Sequence, residues 1–324
     1  MKKKSTKLNL TEPINQKNLF GYDNYFNLFK DLYTNNKLPN CILLTGQKGI
    51  GKATFAYHFI NFLLSNKLKN EYILNKFEIT EDSNTYKQIK TGTHPNFFLI
   101  DTNIGDNEIK IEQTRNLLKF LSKSTYKRDL KIVLIDNFEK LNLNSSNSIL
   151  KAIEEPGENT FFFIVHDSSY KMLETIRSRC MNFKVYFNQD KKNQILKSIL
   201  KSHEIDQQYI SLFDDLFFDS PGNILIKILI LNQFEKSSEL NSIENVNFFL
   251  ETYLNEENPI LLNFGCFFIQ KFYYELCLKN SSNSGIYFQN YSKILKQINN
   301  MKNFNLNEKN VLTSIKKTIS NEAR

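Results

Sequence analysis

The stretch that decides the fold lies at residues 46–52, which read GQKGIGK. This spacing of glycines and lysine is typical of a phosphate-binding loop, because backbone N–H groups must approach phosphate oxygens closely, in conformations that other residues resist. A short apolar run at residues 41–45 precedes the loop, and apolar residues at helical spacing follow it. A strand, a loop and a helix in this order place a positive helix start beneath a phosphate. The segment therefore predicts a nucleotide site.

Two positions that a working ATPase needs are altered. The residue after Lys52 should carry a hydroxyl that ligates magnesium, and it is Ala53. A buried-strand pattern at residues 131–135 leads into Asp136, which suits the metal side of the site, but Asn137 follows where an ATPase carries a carboxylate. An amide cannot polarise an attacking water as a carboxylate does. The pattern predicts a site that hydrolyses ATP poorly or not at all.

Nucleotide binding can survive without hydrolysis. The residues predicted to form this degenerate ATP site are Gly46, Gly49, Gly51, Lys52, Thr54 and Asp136. We expect that no cofactor is required and that any ATP or ADP is bound without turnover. The alternative is that Thr54 or Glu139 takes over after a small shift; Thr54, however, is turned by roughly 100° from position 53 on a helix.

Strand and helix patterns alternate from about residue 23 to residue 186. The strand candidates are residues 41–45, 97–100, 131–135, 160–165 and 182–185. This alternation favours an α/β fold, a parallel sheet with crossover helices. In such sheets ligands lie at the carboxyl ends of the strands, where the loop, Asp136 and His166 would gather. After residue 188 the strand patterns stop and helical patterns continue to the end of the chain.

Several motifs accompany the loop in a fixed order. They are LFGY at residues 19–22, GTHPN at 92–96, IKIEQTR at 109–115, SILKAIEEP at 148–156 and TIRSRC at 175–180. By their order and spacing the chain resembles the delta-prime subunit of bacterial DNA polymerase III clamp loaders. The resemblance covers roughly residues 19–186, and beyond that only the helical character fits.

The resemblance implies an AAA+ P-loop module followed by a helical lid and an all-α collar. The predicted divisions are a flexible N-terminal tail at residues 1–18, an AAA+ nucleotide-binding-like core at 19–187, a lid at 188–236 and a collar for oligomerisation at 237–324. The implied function is that of a subunit of the DNA polymerase holoenzyme that loads the sliding clamp on primer-template DNA. The implied partners are gamma/tau-type ATPase subunits and a delta subunit, in a hetero-oligomeric pentameric ring.

The SRC tripeptide at residues 178–180 matches the family's arginine-finger motif. The resemblance therefore assigns the catalytic role to Arg179. A guanidinium at the start of the last core strand can reach across a subunit interface and stabilise charge on a phosphate that is transferred in a neighbour's site. The alternative is a local salt bridge with an acidic residue of the same chain.

Three departures from the family pattern matter. Many members carry a four-cysteine zinc module between the first two core strands, but residues 65–95 contain no cysteine, so we expect no zinc and no other metal. The family's lid arginine would fall near residues 221–222, and Asn223 follows there. His166 stands where active relatives place a small polar sensor, which puts a sensor role in doubt.

A basic face is predicted on the helix that follows residue 109. The candidate DNA-binding residues are Lys110, Arg115, Lys119 and Lys123, of which the last three are spaced four apart and share one side of a helix. The leucines expected on the opposite side are Leu117, Leu118 and Leu121. The hypothesis is that this face contacts the DNA backbone without reading bases. The alternative is an ordinary solvated charged face.

Composition sets outer bounds on the function. The chain has 324 residues, a net charge of +8 and 41% hydrophobic residues, which suits two or three soluble domains and permits contact with a polyanion. No apolar run is long enough for a membrane span, and no secretory signal follows the basic start. The four scattered cysteines favour free thiols in a reducing cytoplasm.

Two functions remain open at this stage. The first is the clamp-loader subunit that does not hydrolyse ATP, and the second is an active AAA+ or other P-loop ATPase acting on DNA. Ala53, Asn137 and Asn223 favour the first. Self-assembly with ATP turnover would favour the second. A DNA-binding protein with no nucleotide site leaves the phosphate loop unexplained.

Overall fold

The computed structural model describes residues 12–65, 71–102, 108–123, 130–205, 210, 213, 219–234 and 242–322. The chain divides into two compact units, one within Leu10–Ile226 and the other within Lys227–Arg324. The division falls inside a helix that spans Pro221–Gln233. No helix among the described residues combines the length and the apolarity needed to cross a bilayer.

The described strands all belong to the first unit. In chain order they are β1 (Cys41–Gly46), β2 (Tyr72–Ile73), β3 (Glu78–Ile79), β4 (Phe97–Ile100), β5 (Lys131–Ile135), β6 (Thr160–Asp167) and β7 (Met181–Lys184). Five of them form a parallel sheet in the order β4-β5-β6-β1-β7, and β2 and β3 form a separate antiparallel pair. The five core strands match the predicted candidates to within one or two residues at each end.

The helices alternate with the strands and then follow without them. They are α1 (Asp23–Thr34), α2 (Lys52–Ser65), α3 (Asn84–Thr91), α4 (Ile111–Ser122), α5 (Leu143–Glu154), α6 (Glu174–Arg177), α7 (Gln189–Ser202), α8 (Pro221–Gln233), α9 (Ser242–Glu256), α10 (Pro259–Lys279), α11 (Ser284–Asn303) and α12 (Glu308–Glu322). Short 3-10 helices lie at Pro13–Asn15, Phe138–Lys140 and Ser281–Asn283. The parallel sheet, its crossover helices and the helical C-terminal region agree with the predicted fold class.

The sheet is buried on both faces, as parallel sheets with crossover helices require. All five residues of β5 are buried. One face packs on an aromatic cluster in which Phe29 and Phe59 of α1 and α2 lie with ring centroids 5.4 Å apart. The other face packs on aliphatic side chains that include Ile149 and Ile176. Because each strand must bury both faces, the strands appear in the sequence as continuous apolar runs without alternation.

Side-chain caps set where several helices begin. Asn142 accepts a hydrogen bond from the Ser145 N–H at 2.9 Å at the start of α5, and Asn188 accepts one from the Lys191 N–H at 2.9 Å at the start of α7. Each cap supplies an acceptor to a backbone donor that the helix cannot satisfy itself. These caps place α5 and α7 directly after the segments that end at the carboxyl edge of the sheet.

The register of β1 and β6 brings the predicted ligand-binding ends together. Gly46 at the end of β1 lies beside Asp167 at the end of β6, and Thr45 lies beside His166. On the other side of β1, Thr45 lies beside Lys184 of β7. The end of the phosphate-loop strand is therefore flanked by the last residues of two other strands.

The segment where the family's zinc module would lie is organised by a carboxylate. Glu71 accepts hydrogen bonds from the Ser83 hydroxyl at 3.1 Å and from the backbone N–H groups of Asn84 and Thr85 at 3.1 and 3.2 Å. These bonds lower the pKa of Glu71 despite its partial burial. Groups of three or more potential metal ligands are absent from the described residues. The absence of zinc in the protein stays a prediction.

The prediction of four free thiols is wrong for two of the cysteines. Cys41 and Cys180 are joined as a disulfide with their Cα atoms 4.7 Å apart, although 139 residues separate them in sequence. Cys41 begins β1 and Cys180 directly precedes β7, so the pairing of these neighbouring strands brings the two residues together. Cys266 and Cys277 are free.

The second unit is a helical array with an aromatic core. Phe249 of α9 packs on Phe264 of α10 with ring centroids 4.5 Å apart, and a Cβ on Gly265 would lie 2.8 Å from the Leu250 side chain. On α12, the last helix, Leu312, Ile315 and Ile319 are buried. Those three positions are therefore core packing.

The proposed domain limits stay predictions. The boundary between lid and collar at residues 236 and 237 lies outside the described residues, as do residues 1–11 of the predicted tail. Within the described part of that tail, Asn18 forms an isolated antiparallel bridge with Glu78.

Candidate functional site

The phosphate loop connects β1 to α2 in the order that the sequence predicts. Gly46 is the last residue of β1 and Lys52 the first of α2. Gly49 and Gly51 have φ angles of 77° and 101°, a region that glycine tolerates best. A Cβ on Gly51 would also lie 3.2 Å from the Tyr22 ring. The loop backbone therefore needs glycine at both positions to take this shape.

Lys52 is folded back on the loop that precedes it. Its Nζ donates to the Gly46 carbonyl at 2.7 Å and to the Gln47 carbonyl at 2.8 Å, and the residue is only 5% exposed. Burial lowers the pKa of Lys52 to about 8, although the carboxylates of Asp167, Glu139 and Asp136 act in the opposite direction. The ammonium is therefore held in place by the loop carbonyls before any phosphate arrives.

The start of α8 is packed directly on the loop. The Gly222 N–H donates to the Gly49 carbonyl at 2.9 Å, and a Cβ on Gly222 would approach that oxygen to 2.6 Å. A Cβ on Gly49 would lie 2.5 Å from the Ser220 hydroxyl. Asn223, near the position where the resemblance implies an arginine, donates from its amide to Asp219 Oδ1 at 3.0 Å. The start of α8 is therefore joined to the loop by close backbone packing.

A cavity of about 490 Å³ opens beside the loop. Its volume lies in the range that small-molecule and cofactor sites occupy. Loop residues, acidic side chains and apolar side chains line it, including Lys52, Asp136, Tyr22, Leu19, Ile195 and Leu225. The combination of apolar walls with a few convergent polar groups is typical of sites that bind small molecules or cofactors.

Ala53 and Thr54 both line this cavity. Ala53 brings no oxygen to the place where a magnesium ligand is expected. Thr54 is half-buried on the first turn of α2 and reaches the cavity, although its position on the helix suggested that it turns away. The structure therefore leaves Thr54 able to contact a ligand, one residue beyond the metal position.

Asp136 and Asn137 stand at the end of β5. Asp136 is 7% exposed, and burial, reinforced by the charge of Asp101, raises its pKa to about 7. Asn137 adopts a left-handed backbone with φ of 51° and donates from its amide to Asp101 Oδ1 at 2.8 Å. The amide is thus committed to a carboxylate at the end of β4. A carboxylate at position 137 would face Asp101 and Asp136 as like charges.

Glu139, which the sequence interpretation named only as an alternative, is a residue of the site. It lines the cavity, its side chain is 5% exposed, and Oε2 accepts from the Asp167 N–H at 3.1 Å. His166 lies behind it, with Nδ1 3.6 Å from the same oxygen and Nε2 donating to the Tyr170 carbonyl at 3.1 Å. Val165 and Asp167 are among the lining residues and His166 is not, as the alternation of side chains along a strand predicts.

Arg179 lies on the surface between α6 and β7. Its side chain is 36% exposed, and it is not among the residues that line the cavity. It forms an ion pair with Glu154, the last residue of α5. The local salt bridge that the sequence left open as an alternative is therefore present. The structure does not bring Arg179 together with the chain's own phosphate loop.

The predicted DNA-binding residues all lie on or beside α4. Arg115 and Lys119 are exposed on the helix, Lys110 is exposed at its N-cap, and Lys123 is exposed just past its end. Thr114 and Leu117 are buried on the inner side, and Leu118, expected there, is 40% exposed. The basic face therefore also carries apolar surface.

The sequence of the first unit matches a known protein family. A family model described as DNA polymerase III, delta subunit, matches residues 21–191, more than half of the chain. The chain belongs to this family. The resemblance drawn from the motifs is thereby confirmed, and the matched range includes the loop, Asp136, α4 and Arg179.

Individual relatives give the same picture over part of their length. The chain is 29% identical to the DNA polymerase III subunit delta' of Pseudomonas aeruginosa over 139 residues, which is 43% of this chain and 40% of the relative. It is 32% identical to the subunit delta' of Buchnera aphidicola subsp. Baizongia pistaciae over 165 residues, 49% of this chain and 47% of the relative. The chain thus matches half or less of the length of these curated relatives.

A solved structure aligns over most of the chain. It is a DNA polymerase III gamma subunit-related protein from Thermotoga maritima, with 14% identity and a TM-score of 0.49, and the alignment covers 91% of this chain and 99% of that one.

The structure gathers some predicted residues and separates others. Five of the six residues predicted for the nucleotide site line the same cavity, namely Gly49, Gly51, Lys52, Thr54 and Asp136. The cavity is also lined by Asp101 and Asp167, which the sequence interpretation did not assign to the site, and by Glu139, which it named only as an alternative. Each follows or ends a core strand, so their position after a buried strand was a signal that could have found them.

Proposed function

We propose that this chain is a clamp-loader subunit that completes the ATP site of a neighbouring subunit and does not hydrolyse ATP well itself. The observation that carries the proposal is that Arg179 lies apart from the chain's own cavity, whose catalytic positions are altered. The phosphate loop lines the chain's own cavity. However, Ala53 stands at the position of the magnesium ligand, and Asn137 stands where an ATPase has the carboxylate that polarises water. Arg179 lies outside that cavity and is exposed.

A nucleotide fits the residues that are present. Phosphates suit the loop, where glycines adopt left-handed backbone conformations and Lys52 is buried, and the polar end of β5. A nucleobase suits the apolar walls at Leu19 and Tyr22. In a hydrolysing site, bound ATP and magnesium would supply the phosphoryl group and its charge neutralisation. Here Ala53 offers magnesium no hydroxyl, so ATP or ADP would serve as a bound ligand without turnover.

The amide at position 137, where an ATPase has a carboxylate that polarises water, is the second reason to expect poor hydrolysis. The Asn137 amide donates to Asp101, so its carbonyl oxygen is the group left to face a water, and an amide oxygen is a far weaker base than a carboxylate. Restoring a carboxylate at this position would place it near two others. The arrangement at the ends of β4 and β5 is therefore adapted to an amide.

A second candidate function rests on Glu139. Its carboxylate lines the cavity and could orient a water in an active AAA+ ATPase acting on DNA. Its Oε2 is already bonded to the Asp167 N–H, and the metal ligand is still missing. We therefore favour the subunit that works through its neighbour.

The proposed partners are gamma/tau-type ATPase subunits, a delta subunit, the sliding clamp and primer-template DNA, in a pentameric ring in the cytoplasm. Family membership and the similarity to delta' subunits support this assembly. Apolar side chains exposed on and after α11, among them Ile286, Phe288 and Phe304, offer surface for contacts between subunits.

Reconstitution tests the proposed function. The purified chain is mixed with gamma/tau-type and delta subunits, and complex formation and ATP hydrolysis are measured for each component and for the mixture. We expect the chain to co-elute with the other subunits and to show negligible turnover alone. Self-assembly of the chain with robust ATP turnover that depends on Lys52 would establish the second candidate function instead.

Contact of α4 with DNA makes a separate prediction. Arg115→Glu combined with Lys119→Glu should weaken binding of the assembled loader to primer-template DNA and lower the slope of log K against log salt by about 2, because two phosphate contacts are lost. Affinity is measured by anisotropy between low and moderate salt. Lys87→Glu combined with Lys90→Glu, on the exposed side of α3, makes the same charge change elsewhere. An unchanged slope in the α4 variant, or an equal change in both variants, would show that α4 is only a solvated face.

A further inference from the structure

We propose that Glu154 is a positioning residue that holds the Arg179 guanidinium so that its Nη2 donors remain available for the phosphate of a neighbouring subunit. The inference rests on the proposed function of Arg179 in the assembled loader. It assigns a role to the EEP segment at residues 154–156, which the nucleotide site does not use.

The contacts of Arg179 engage two of the three nitrogens of its guanidinium. Nε donates to Glu154 Oε1, and Nη1 donates to the Thr175 carbonyl at 2.8 Å and to the Ser178 hydroxyl at 3.3 Å. Within the described part of the chain, Nη2 makes no hydrogen bond. A guanidinium has five N–H donors in a rigid fork, so fixing Nε and Nη1 determines where the Nη2 donors point.

Glu154 is placed against the preference of its own helix. It is the last residue of α5, where the negative end of the helix dipole disfavours a carboxylate. Helix stability therefore does not explain a glutamate at this position. Its carboxylate meets Arg179, 25 residues further along the chain, and this contact accounts for its placement.

Fixing the guanidinium in advance helps a residue that acts across an interface. A free arginine side chain must lose much of its rotamer freedom when it engages a phosphate, whereas a side chain already held by three acceptors loses less. The Nη2 group keeps its donors because Glu154 accepts from Nε and the Thr175 and Ser178 oxygens accept from Nη1. Glu154 can therefore hold the cation without using its Nη2 donors.

The test uses the full-length chain in the reconstituted loader. Glu154→Ala should lower the turnover number for ATP on the order of tenfold with little change in KM, because the guanidinium is no longer oriented. Glu154→Gln should retain most of the activity, since the amide oxygen still accepts from Nε. Glu155→Ala is the matched control: it removes the same charge from the next residue, which forms no ion pair among the described residues.

The outcomes separate the two proposals. If Arg179→Ala is inactive while Glu154→Ala behaves like the wild type, the positioning role is overturned and the proposed role of Arg179 stands. If the Glu154→Ala loader hydrolyses ATP faster than the wild type, Glu154 restrains Arg179, and the positioning role is also overturned. If Arg179→Ala itself is fully active, the proposed function fails, and the inference fails with it.

A second readout needs no assembly. In the isolated chain, the Arg179 Nε–H resonance in ¹⁵N NMR reports whether the guanidinium is held. Glu154→Ala should speed the solvent exchange of that proton markedly, and Glu154→Gln should change it less. An unchanged exchange rate in a folded Glu154→Ala chain, verified by its thermal unfolding, would overturn the inference.

Discussion

Replacing Arg179 with alanine is expected to lower ATP hydrolysis at the neighbouring site of the reconstituted loader by on the order of a hundredfold or more. Arginines supplied across an interface stabilise the charge that develops on the transferred phosphoryl group, and their loss has effects of this size. Arg179 is exposed, and its Nη2 group makes no hydrogen bond within the described part of the chain. The measurement is DNA- and clamp-stimulated ATP hydrolysis by loaders that differ only in this residue.

Two further variants sharpen this result. Arg179→Lys keeps the charge but not the planar fork, so it should recover only a small part of the activity. Arg177→Ala removes an exposed arginine in the same segment, whose guanidinium lies 3.5 Å from Glu174, and should have little effect. Equal losses for Arg177→Ala and Arg179→Ala would point to general electrostatics and against a specific role for Arg179.

Replacing Lys52 with alanine is expected to weaken nucleotide binding to the isolated chain by roughly 30- to 150-fold. A hydrogen bond to a charged group contributes about 2–3 kcal/mol, and Lys52 is the buried cation of the loop. Calorimetry with ADP measures the effect. Lys48→Ala, which removes the exposed lysine of the same loop, is the matched control and should cost much less.

The same site should respond to pH in a defined direction. Burial lowers the pKa of Lys52 to about 8, and only the ammonium form attracts a phosphate. Affinity for ADP should therefore fall as the pH rises through about 8. The Lys52→Ala chain should lack this dependence. Unchanged affinity in Lys52→Ala would show that the loop does not hold nucleotide.

The sheet could be predicted from the sequence because its signals are local. Each core strand is a short apolar run between polar segments, and the glycines of the phosphate loop mark the turn into α2. Asn142 and Asn188 act as helix caps through bonds to residues three positions away. Periodicity and spacing capture such short-range features well.

The remaining features depend on contacts that spacing does not encode. Gly222 reaches Gly49 across 173 residues of sequence, and Asn137 reaches Asp101 across 36. The side chain of Glu139 is brought to Asp167 by a short 3-10 helix after β5, which the strand pattern gives no reason to expect. The disulfide between Cys41 and Cys180 likewise depends on the pairing of β1 with β7.

The prediction for the basic face of α4 is correct for its charged residues and wrong for Leu118. Helical spacing correctly places Arg115 and Lys119 on the exposed side of α4 and Leu117 on the buried side. Leu118 is exposed because the inner surface of α4 is narrow and is filled by Thr114, Leu117 and the partly buried Phe120 and Leu121. The width of the buried stripe is set by the neighbouring elements, which the pattern of one helix does not reveal.

DNA-stimulated ATP hydrolysis by two reconstituted loaders, one with Lys52→Ala and one with Arg179→Ala in this chain, decides where the chemistry takes place. If the chain acts on its neighbour, the Lys52→Ala loader keeps activity close to the wild type, since its own site does not contribute turnover, and the Arg179→Ala loader loses most of it. The reverse pattern, with activity lost through Lys52 and kept without Arg179, would show that the chain hydrolyses ATP in its own cavity and would contradict the proposed function.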